Sequence, residues 1–266
     1  TRAAGGMLLL LLAAMALTLS LGQSFTPPGD ILRVLAGADV PGASFTVGEL
    51  RLPRAVLSIL AGMSYGLGGV VFQTMLRNPL ASPDIIGISA GASAAAVFAI
   101  VVLGWSGTSV SVLAVAAGLG VAAAIYLLSW RDGVAGARLI LVGIGIAAML
   151  ESVIAYVLLR APAWSLQDAL RWLTGSVNGA TLEQAVPVLL SLALFGGLLL
   201  ALRGSVELMR LGEDTAAALG VPLARDRALI VLAAVGLIAV ATAVTGPIAF
   251  VAFLSGPIAL RITGPG

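Results

Sequence analysis

Runs of apolar residues long enough to cross a lipid bilayer follow one another along almost the whole chain. A transmembrane helix needs about 20 mainly apolar residues. Such runs cover roughly 7–22, 55–76, 85–105, 108–130, 139–159 and 185–202. The last run, 228–260, is too long for one crossing, and the Thr-Gly-Pro sequence at 245–247 can divide it, because Gly and Pro interrupt helices. The pattern predicts an all-α, polytopic membrane protein with eight crossings.

The composition agrees with a membrane protein and excludes several functions. Of 266 residues, 60% are hydrophobic and 10% are charged, against about 25% charged in a typical soluble domain. The net charge of +2, without a basic cluster that carries aromatic residues, gives no basis for nucleic-acid binding. All 14 basic residues are Arg, so the chain lacks the Lys of a phosphate-binding loop and does not hydrolyse ATP by that route. Because His and Cys are absent, the common zinc sites and Cys or Ser-His nucleophiles are excluded, and we expect no cofactor on this chain.

The orientation of the chain follows from its arginines. The first run, 7–22, could pass for a signal peptide, but we interpret it as a membrane helix, because more spans follow and the cleavage site would be poor. With the N-terminus inside, nine arginines lie in inner segments and five in outer segments, as the positive-inside rule favours. The inner ones are Arg2, Arg77, Arg131, Arg138, Arg203, Arg210, Arg225, Arg227 and Arg261, and the outer ones are Arg33, Arg51, Arg54, Arg160 and Arg171.

One compact charged segment, 212–227, interrupts the apolar second half of the chain. Glu213 and Asp214 suit the positive end of a helix, and the alanines that follow favour helix. Gly220 and then Pro222 end it. We predict a cytoplasmic helix of about two turns. It is either a solvated connector or an element whose small alanine face inserts into the groove of a partner.

Two arginines mark the outer segment 49–62. Arg51 and Arg54 are three residues apart, so they share one face if the helix has begun, and Pro53 is tolerated in a first helical turn. Cations at a helix N-terminus oppose the helix dipole, which costs roughly 0.3–1 kcal/mol each. The two arginines therefore either snorkel at the membrane interface or dock an acidic partner.

Two further features lie in or between the predicted spans. In the inner segment 76–93, Asn78 and Pro79 end one span and Asp84 can cap the next. This segment is either a tight turn or a loop that closes a pathway. Glu151 lies in the middle of a span, where an acid is by default a candidate functional group, although a protonated or hydrogen-bonded packing role is equally open.

Five stretches resemble one family of transport proteins. They are RLPR (51–54), NPLASPDIIGISAGAS (78–93), RWLTGS (171–176), GEDTAAALGV (212–221) and GPIAFVAFLSGPIALRITGPG (246–266). They resemble the FecCD-type permeases of iron-siderophore and vitamin B12 ABC importers, from the first helix to the last residue. Members of that family have ten helices and act as a dimer of permeases, with two ATPase subunits beneath and an extracytoplasmic binding protein above. The resemblance implies a permease of the bacterial cytoplasmic membrane that carries a ferric siderophore and is not itself an enzyme.

The resemblance also implies roles for individual residues. Segment 212–221 matches the coupling helix that fits the ATPase groove, and the two outer arginines match those that pair with acids of the binding protein. Two inner segments match cytoplasmic gates, the second of which carries hydroxyl groups in the vitamin B12 relative but not here. The implied sites are the coupling residues Gly212, Glu213, Asp214, Ala217, Leu219 and Gly220, the docking residues Arg51 and Arg54, and the gate residues Asn78, Leu80, Gly136 and Ala137.

The end of the sequence departs from the family pattern. Family members have two more helices after Arg261, so the single transmembrane domain, 1–266, is expected to contain about eight of the ten helices and to be a fragment. GPIALR stands where the family often has PHIARR, a variant more like the siderophore permeases than the vitamin B12 permease.

Three alternatives stay open. The permease could carry vitamin B12 or haem, and its partner permease could be identical or different. The chain could instead be an ion-coupled secondary transporter with Glu151 as the coupling acid, although we see no inverted repeat of the kind such transporters often show. It could also be a membrane scaffold without transport activity.

Overall fold

A computed structural model describes residues 2–79, 81, 87–129 and 136–264 of the protein. These residues form helices and turns with no strand among them, which confirms the predicted all-α fold. The α-helices are α1 (Arg2–Ser20), α2 (Pro28–Leu35), α3 (Leu52–Met75), α4 (Ile88–Val101), α5 (Thr108–Ser129), α6 (Gly136–Leu159), α7 (Ala163–Thr174), α8 (Leu182–Ser191), α9 (Gly197–Ala201), α10 (Arg203–Arg210), α11 (Glu213–Ala218), α12 (Leu223–Thr245) and α13 (Val251–Thr263). Two π-helical segments, Ser44–Arg51 and Leu192–Gly196, lead into α3 and join α8 to α9.

The apolar helices follow the predicted runs, but they differ in length. Five helical segments in the described part of the chain are long and apolar enough to cross a membrane: Ser44–Met75, Thr108–Ser129, Arg138–Leu159, Leu182–Ala201 and Leu223–Thr245. Three apolar helices are shorter: Gly5–Ser20, Ile88–Val101 and Val251–Thr263. Together they account for the eight predicted segments. At 1.5 Å per residue, helices of 13 or 14 residues rise roughly 20 Å, which is less than the hydrocarbon thickness of about 30 Å.

Helices α3 and α12 form the centre of the bundle, and small residues let their neighbours approach closely. A Cβ atom on Gly69 of α3 would lie 1.9 Å from the carbonyl oxygen of Ala252 in α13. A Cβ atom on Gly68 would lie 2.6 Å from the Ile238 side chain of α12. Such close approach is the usual basis of helix packing in lipid, where burial of apolar surface gives no net drive.

Two of the short helices follow tight turns. Helix α13 follows α12 after the break predicted at 245–247, where Gly246 has a φ of +71°. Both α4 and α13 begin directly after a residue in the left-handed region, Gly87 (φ +65°) and Phe250 (φ +67°). For an aromatic residue this conformation is strained.

Several short helices were not expected from the sequence. Helices α2, α7 and α10 have only 8, 12 and 8 residues and connect the longer helices at the two ends of the bundle. Polar residues interrupt the apolar residues in each of these three helices, so the search for long apolar runs assigned them to loops.

Candidate functional site

Helix α3 separates two groups of polar residues at opposite ends of the bundle. It has 24 residues and is therefore roughly 36 Å long. The group near its first turn, with Arg54, Arg171 and Asn178, is called the Arg54 end. The group beyond its last turn, with Arg77, Asn78 and Arg210, is called the Arg210 end; a pocket of about 460 Å³ lies among these residues, Gly256 and Thr263.

The predicted coupling segment forms a separate short helix at the Arg210 end. Gly212, with a φ of +125°, precedes α11, and Gly220, with a φ of +86°, follows it. The amides of Gly220 and Val221 donate to the carbonyls of Ala217 and Ala216, both at 3.0 Å, so the helix ends in a Schellman-type cap. This matches the helix of about two turns that the sequence predicted.

The surface of α11 is small and exposed. Ala216 is fully buried against the bundle, whereas Thr215, Ala217, Ala218, Leu219 and Gly220 are exposed. The backbone of Glu213 and Asp214 forms the first turn, and their side chains lie outside the description. The exposed face therefore consists of small residues with one large apolar side chain, Leu219, which is 59% exposed.

A buried carboxylate fixes the helices on both sides of α11. Asp226, in the first turn of α12, is 6% exposed and accepts a hydrogen bond from the Ser205 hydroxyl of α10. Sequence reasoning missed this residue because a lone acid near a helix start has many possible uses.

The predicted gates are only partly described by the structure. Asn78 is exposed at the Arg210 end, and its backbone amide donates to the backbone carbonyl of Gln73 at 3.1 Å. Gly136 and Ala137 begin α6, without a description of the Ala137 side chain, and Leu80 lies outside the described residues. The gate assignment therefore stays a prediction.

The structure corrects the expectation for Arg51. Arg51 is only 7% exposed, and its guanidinium donates to the carbonyls of Leu19 (2.8 Å), Ser20 (3.0 Å) and Ser24 (2.5 Å) and to the Thr26 hydroxyl (3.2 Å). The residue ends a π-helical segment and points towards the end of α1, so it does not share an exposed face with Arg54. An internal tie of this kind leaves the guanidinium without the surface position that docking would require.

Arg54 keeps a surface position. One of its terminal nitrogens donates to the side-chain carbonyl of Asn178, and Arg171 donates to the backbone carbonyl of the same residue at 3.3 Å. Two cations therefore converge on one exposed loop at the Arg54 end. Arg171, which the sequence placed among the outer arginines without a role, joins this surface through the turn after α7.

Glu151 lines a cavity of about 550 Å³ between α3, α4, α6 and α13. Tyr65, Ser89, Ser93 and Phe250 contribute to the same wall. The Glu151 side chain is exposed and makes no hydrogen bond or ion pair within the described part of the chain. By contrast, the Tyr65 hydroxyl is fixed by the carbonyl of Gly246 at 2.9 Å. Glu151 therefore lies on the cavity wall without a partner among the described residues, and its role stays a prediction.

Helix α6, which contributes Ala147, Glu151 and Ile154 to the cavity wall, is the least buried of the long helices. Only 6% of the most apolar 18-residue stretch of this helix is buried inside the protein. Large apolar side chains cover its outward surface: Leu141, Ile144, Met149, Val153, Tyr156 and Leu159. In the described residues no group of three or more acidic, His or Cys side chains could hold a metal ion.

Comparison with known proteins gives consistent matches over most of the chain. The model of the FecCD transport family matches residues 9–266. The ferric enterobactin transport system permease protein FepG of Escherichia coli (strain K12) is 38% identical over 237 residues, which are 88% of this chain and 71% of that protein. The achromobactin transport system permease protein CbrC of Dickeya dadantii (strain 3937) is 39% identical over 261 residues, or 97% of this chain and 75% of that protein. An inward-facing structure of a metal-chelate type ABC transporter has a TM-score of 0.86 at 26% identity and covers 98% of this chain and 81% of its own.

Proposed function

The chain belongs to the FecCD transport family, and we propose that it moves a ferric siderophore across the bacterial cytoplasmic membrane as the permease subunit of an ABC importer. The arrangement of three features along one bundle supports the proposal. They are the short helix α11 with its exposed small residues at the Arg210 end, the cavity lined by Glu151, and the cationic surface at the Arg54 end. ATP hydrolysis belongs to a separate subunit in this proposal, and the chain needs no cofactor of its own.

Helix α11 is proposed to receive the mechanical signal from the ATPase. Its outward face carries Ala217 and Gly220, which leave room for a close fit in a groove, and Leu219, whose exposed side chain can contact the groove. The hydrogen bond between Ser205 and Asp226 ties α10 to α12 on either side of it. A push on α11 would therefore reach the central helix α12 through packed elements rather than through a loose loop.

The cavity with Glu151 is proposed to be one wall of the substrate pathway. The exposed apolar surface of α6 suits a second permease subunit, identical or related, which would complete the pathway. Asn78 and Leu80, with Gly136 and Ala137, are proposed to close it at the Arg210 end.

Arg54 is proposed to be the docking arginine for an extracytoplasmic binding protein. Arg54 of α3 and Arg171 of α7 place two cations beside the loop that contains Asn178, which suits a pair of carboxylates on the partner. Arg51 no longer belongs to this proposal, because its guanidinium is used inside the fold.

The substrate assignment follows the names of the relatives, two of which are permeases for ferric enterobactin and achromobactin. Vitamin B12 and haem stay as alternative substrates. An ion-coupled transporter that uses Glu151 remains the alternative mechanism.

The test is ATP hydrolysis by the reconstituted complex of permease, ATPase subunits and binding protein. We expect hydrolysis to rise when the binding protein is added with a ferric siderophore. A permease that does not assemble with the ATPase, or a hydrolysis rate that ignores the loaded binding protein, would contradict the proposal.

A further inference from the structure

The cavity at the Arg210 end contains two arginines that no acidic residue accompanies. It has a volume of about 460 Å³, lies between α3, α10 and α13, and is lined by Arg77 and Arg210 without an Asp or Glu among the described residues of its wall. Within the described part of the chain, neither guanidinium makes a hydrogen bond or an ion pair. Two cations that share one cavity repel each other, and an anion bound between them would remove this cost.

The backbone of Arg77 adopts a conformation that favours glycine. Arg77 follows α3 with a φ of +48°, in the left-handed region. The backbone amides of Arg77 and Asn78 donate to the carbonyls of Thr74 (3.2 Å) and Gln73 (3.1 Å), which is a Schellman cap, and glycine is the usual residue at the position that Arg77 occupies. The same cap after α11 has Gly220 at this position. Arginine costs free energy here that glycine would not, so a function of its side chain is the natural explanation.

The Arg77 side chain extends to the turn between α10 and α11. A Cβ atom on Gly212 would lie 3.7 Å from the Nη2 atom of Arg77. Arg210 is the last residue of α10 and precedes Gly212 by two positions, so the two arginines reach the cavity from separate elements. The side-chain amide of Gln73, also in the wall, donates to the backbone carbonyl of Phe253 at 2.9 Å and ties α3 to α13. The cavity is therefore built on packed helices.

The part of the wall farther from the arginines is apolar. Val70 of α3 and Leu260 of α13 line the cavity, and both side chains are exposed. Val70 precedes Arg77 by seven residues, a rise of roughly 10 Å along the helix. Because Val70 belongs to the membrane-spanning segment Ser44–Met75, this side of the cavity faces hydrocarbon. The orientation predicted from the arginines places the opposite, cationic side at the cytoplasmic surface of the membrane.

We propose that Arg77 and Arg210 bind one phosphate group in this cavity. The planar guanidinium donates two parallel hydrogen bonds to phosphate oxygens, and the Thr74 hydroxyl adds a donor to the same wall. The phosphate belongs either to a phospholipid headgroup, whose acyl chain would lie along Val70 and Leu260, or to free inorganic phosphate. The inference is independent of which substrate the permease carries.

The first measurement is thermal unfolding of the purified full chain in a neutral, lipid-free detergent, titrated with inorganic phosphate against chloride at equal ionic strength. Phosphate should raise the unfolding midpoint until the site is saturated, by about 3 °C at ten times its dissociation constant. Arg77→Gly should abolish this rise without lowering the midpoint in the absence of phosphate, because glycine relieves the left-handed backbone. Arg210→Gln should weaken the apparent affinity by about tenfold or more. Arg203→Gln, a matched change at an exposed arginine of α10 outside the cavity, should leave it unchanged.

The second measurement separates the two sources of phosphate. The chain is extracted from nanodiscs that contain equal amounts of phosphatidylglycerol and a neutral glycolipid without phosphate, and the retained lipids are quantified by mass spectrometry. A headgroup source predicts that wild type and Arg203→Gln retain phosphatidylglycerol selectively, that Arg77→Gly does not, and that inorganic phosphate displaces it. A free-phosphate source predicts the rise in unfolding midpoint with no preference between the lipids.

Two results would overturn the proposal. One is that neither inorganic phosphate nor phosphatidylglycerol binds, which would leave the two arginines for a carboxylate of a partner subunit. The other is that Arg77→Gly and Arg210→Gln both respond to phosphate and retain phosphatidylglycerol as wild type does.

Discussion

Replacement of Arg51 by Leu should destabilise the permease itself rather than weaken its contact with a binding protein. The Arg51 guanidinium connects the start of α3 to the end of α1 and the turn after it, through three backbone carbonyls and the hydroxyls of Ser24 and Thr26. Two of these carbonyls, on Leu19 and Ser20, belong to the last turn of α1; the Ser20 carbonyl also accepts from the Thr26 backbone amide at 2.9 Å, whereas the Leu19 carbonyl depends on Arg51. A leucine fills part of the space but satisfies none of these acceptors.

The expected loss follows from these contacts. A hydrogen bond to a charged group contributes about 1.5–3 kcal/mol, but several bonds from one guanidinium are not additive. The free energy of unfolding should therefore fall by about 3–5 kcal/mol. For a chain of this size, this is on the order of 10 °C in the midpoint of thermal unfolding. Arg51→Lys should recover only part of the loss, because an ammonium group cannot reproduce the planar fork of donors.

The assay is thermal unfolding of the purified chain in detergent. Arg33→Leu is the matched control, because Arg33 is 72% exposed and makes a surface ion pair with Asp30 at 3.7 Å, which contributes about 1 kcal/mol or less. The reasoning is refuted if Arg51→Leu unfolds at the same temperature as Arg33→Leu. Normal stability combined with a lost affinity for the binding protein would return Arg51 to a docking role.

Four further outcomes are expected. Gly69→Ala should lower the free energy of unfolding by about 3 kcal/mol, since its Cβ atom would meet a backbone oxygen of α13 at 1.9 Å, whereas Gly62→Ala on the same helix has open space and should be neutral in the same unfolding assay. Ala217→Arg should leave the membrane fold intact and abolish the link between ATP hydrolysis and uptake in proteoliposomes; normal uptake would show that α11 is not the coupling helix. Arg54→Glu should weaken binding-protein affinity about tenfold or more, measured by titration against the permease, and equal affinity would reduce Arg54 to an interfacial anchor. Glu151→Gln should alter the uptake rate without changing complex assembly, because the carboxylate makes no internal contact in the described residues; an unchanged rate would remove Glu151 from the pathway.

The long helices were predictable because hydrophobicity and length report directly on membrane crossing. The break at Gly246 was also visible, since Gly followed by Pro interrupts a helix regardless of tertiary contacts. The short length of α4 and α13 could not be predicted in the same way. A run of apolar residues does not distinguish a helix that crosses the whole membrane from a shorter one that ends against its neighbours.

Arg51 and Arg54 show where sequence reasoning about a site stopped. Their spacing indicates a shared helical face, but the chain before α3 is π-helical, and the carbonyls at the end of α1 lie 31 and 32 residues away in sequence. Those acceptors hold the Arg51 guanidinium inside the fold, and no local sequence pattern around Arg51 predicts them. Helix α11, by contrast, was predictable because its acids, alanines and final glycine act locally.

The most direct test of the central claim is the accumulation of radioactive iron inside sealed proteoliposomes. The liposomes contain the permease with its ATPase subunits, and the binding protein is added outside with a ⁵⁵Fe-labelled siderophore. The account predicts accumulation that requires enclosed ATP, persists without any ion gradient, and is absent with Ala217→Arg. Accumulation driven by a proton or sodium gradient in the absence of ATP and of the ATPase subunits would contradict it.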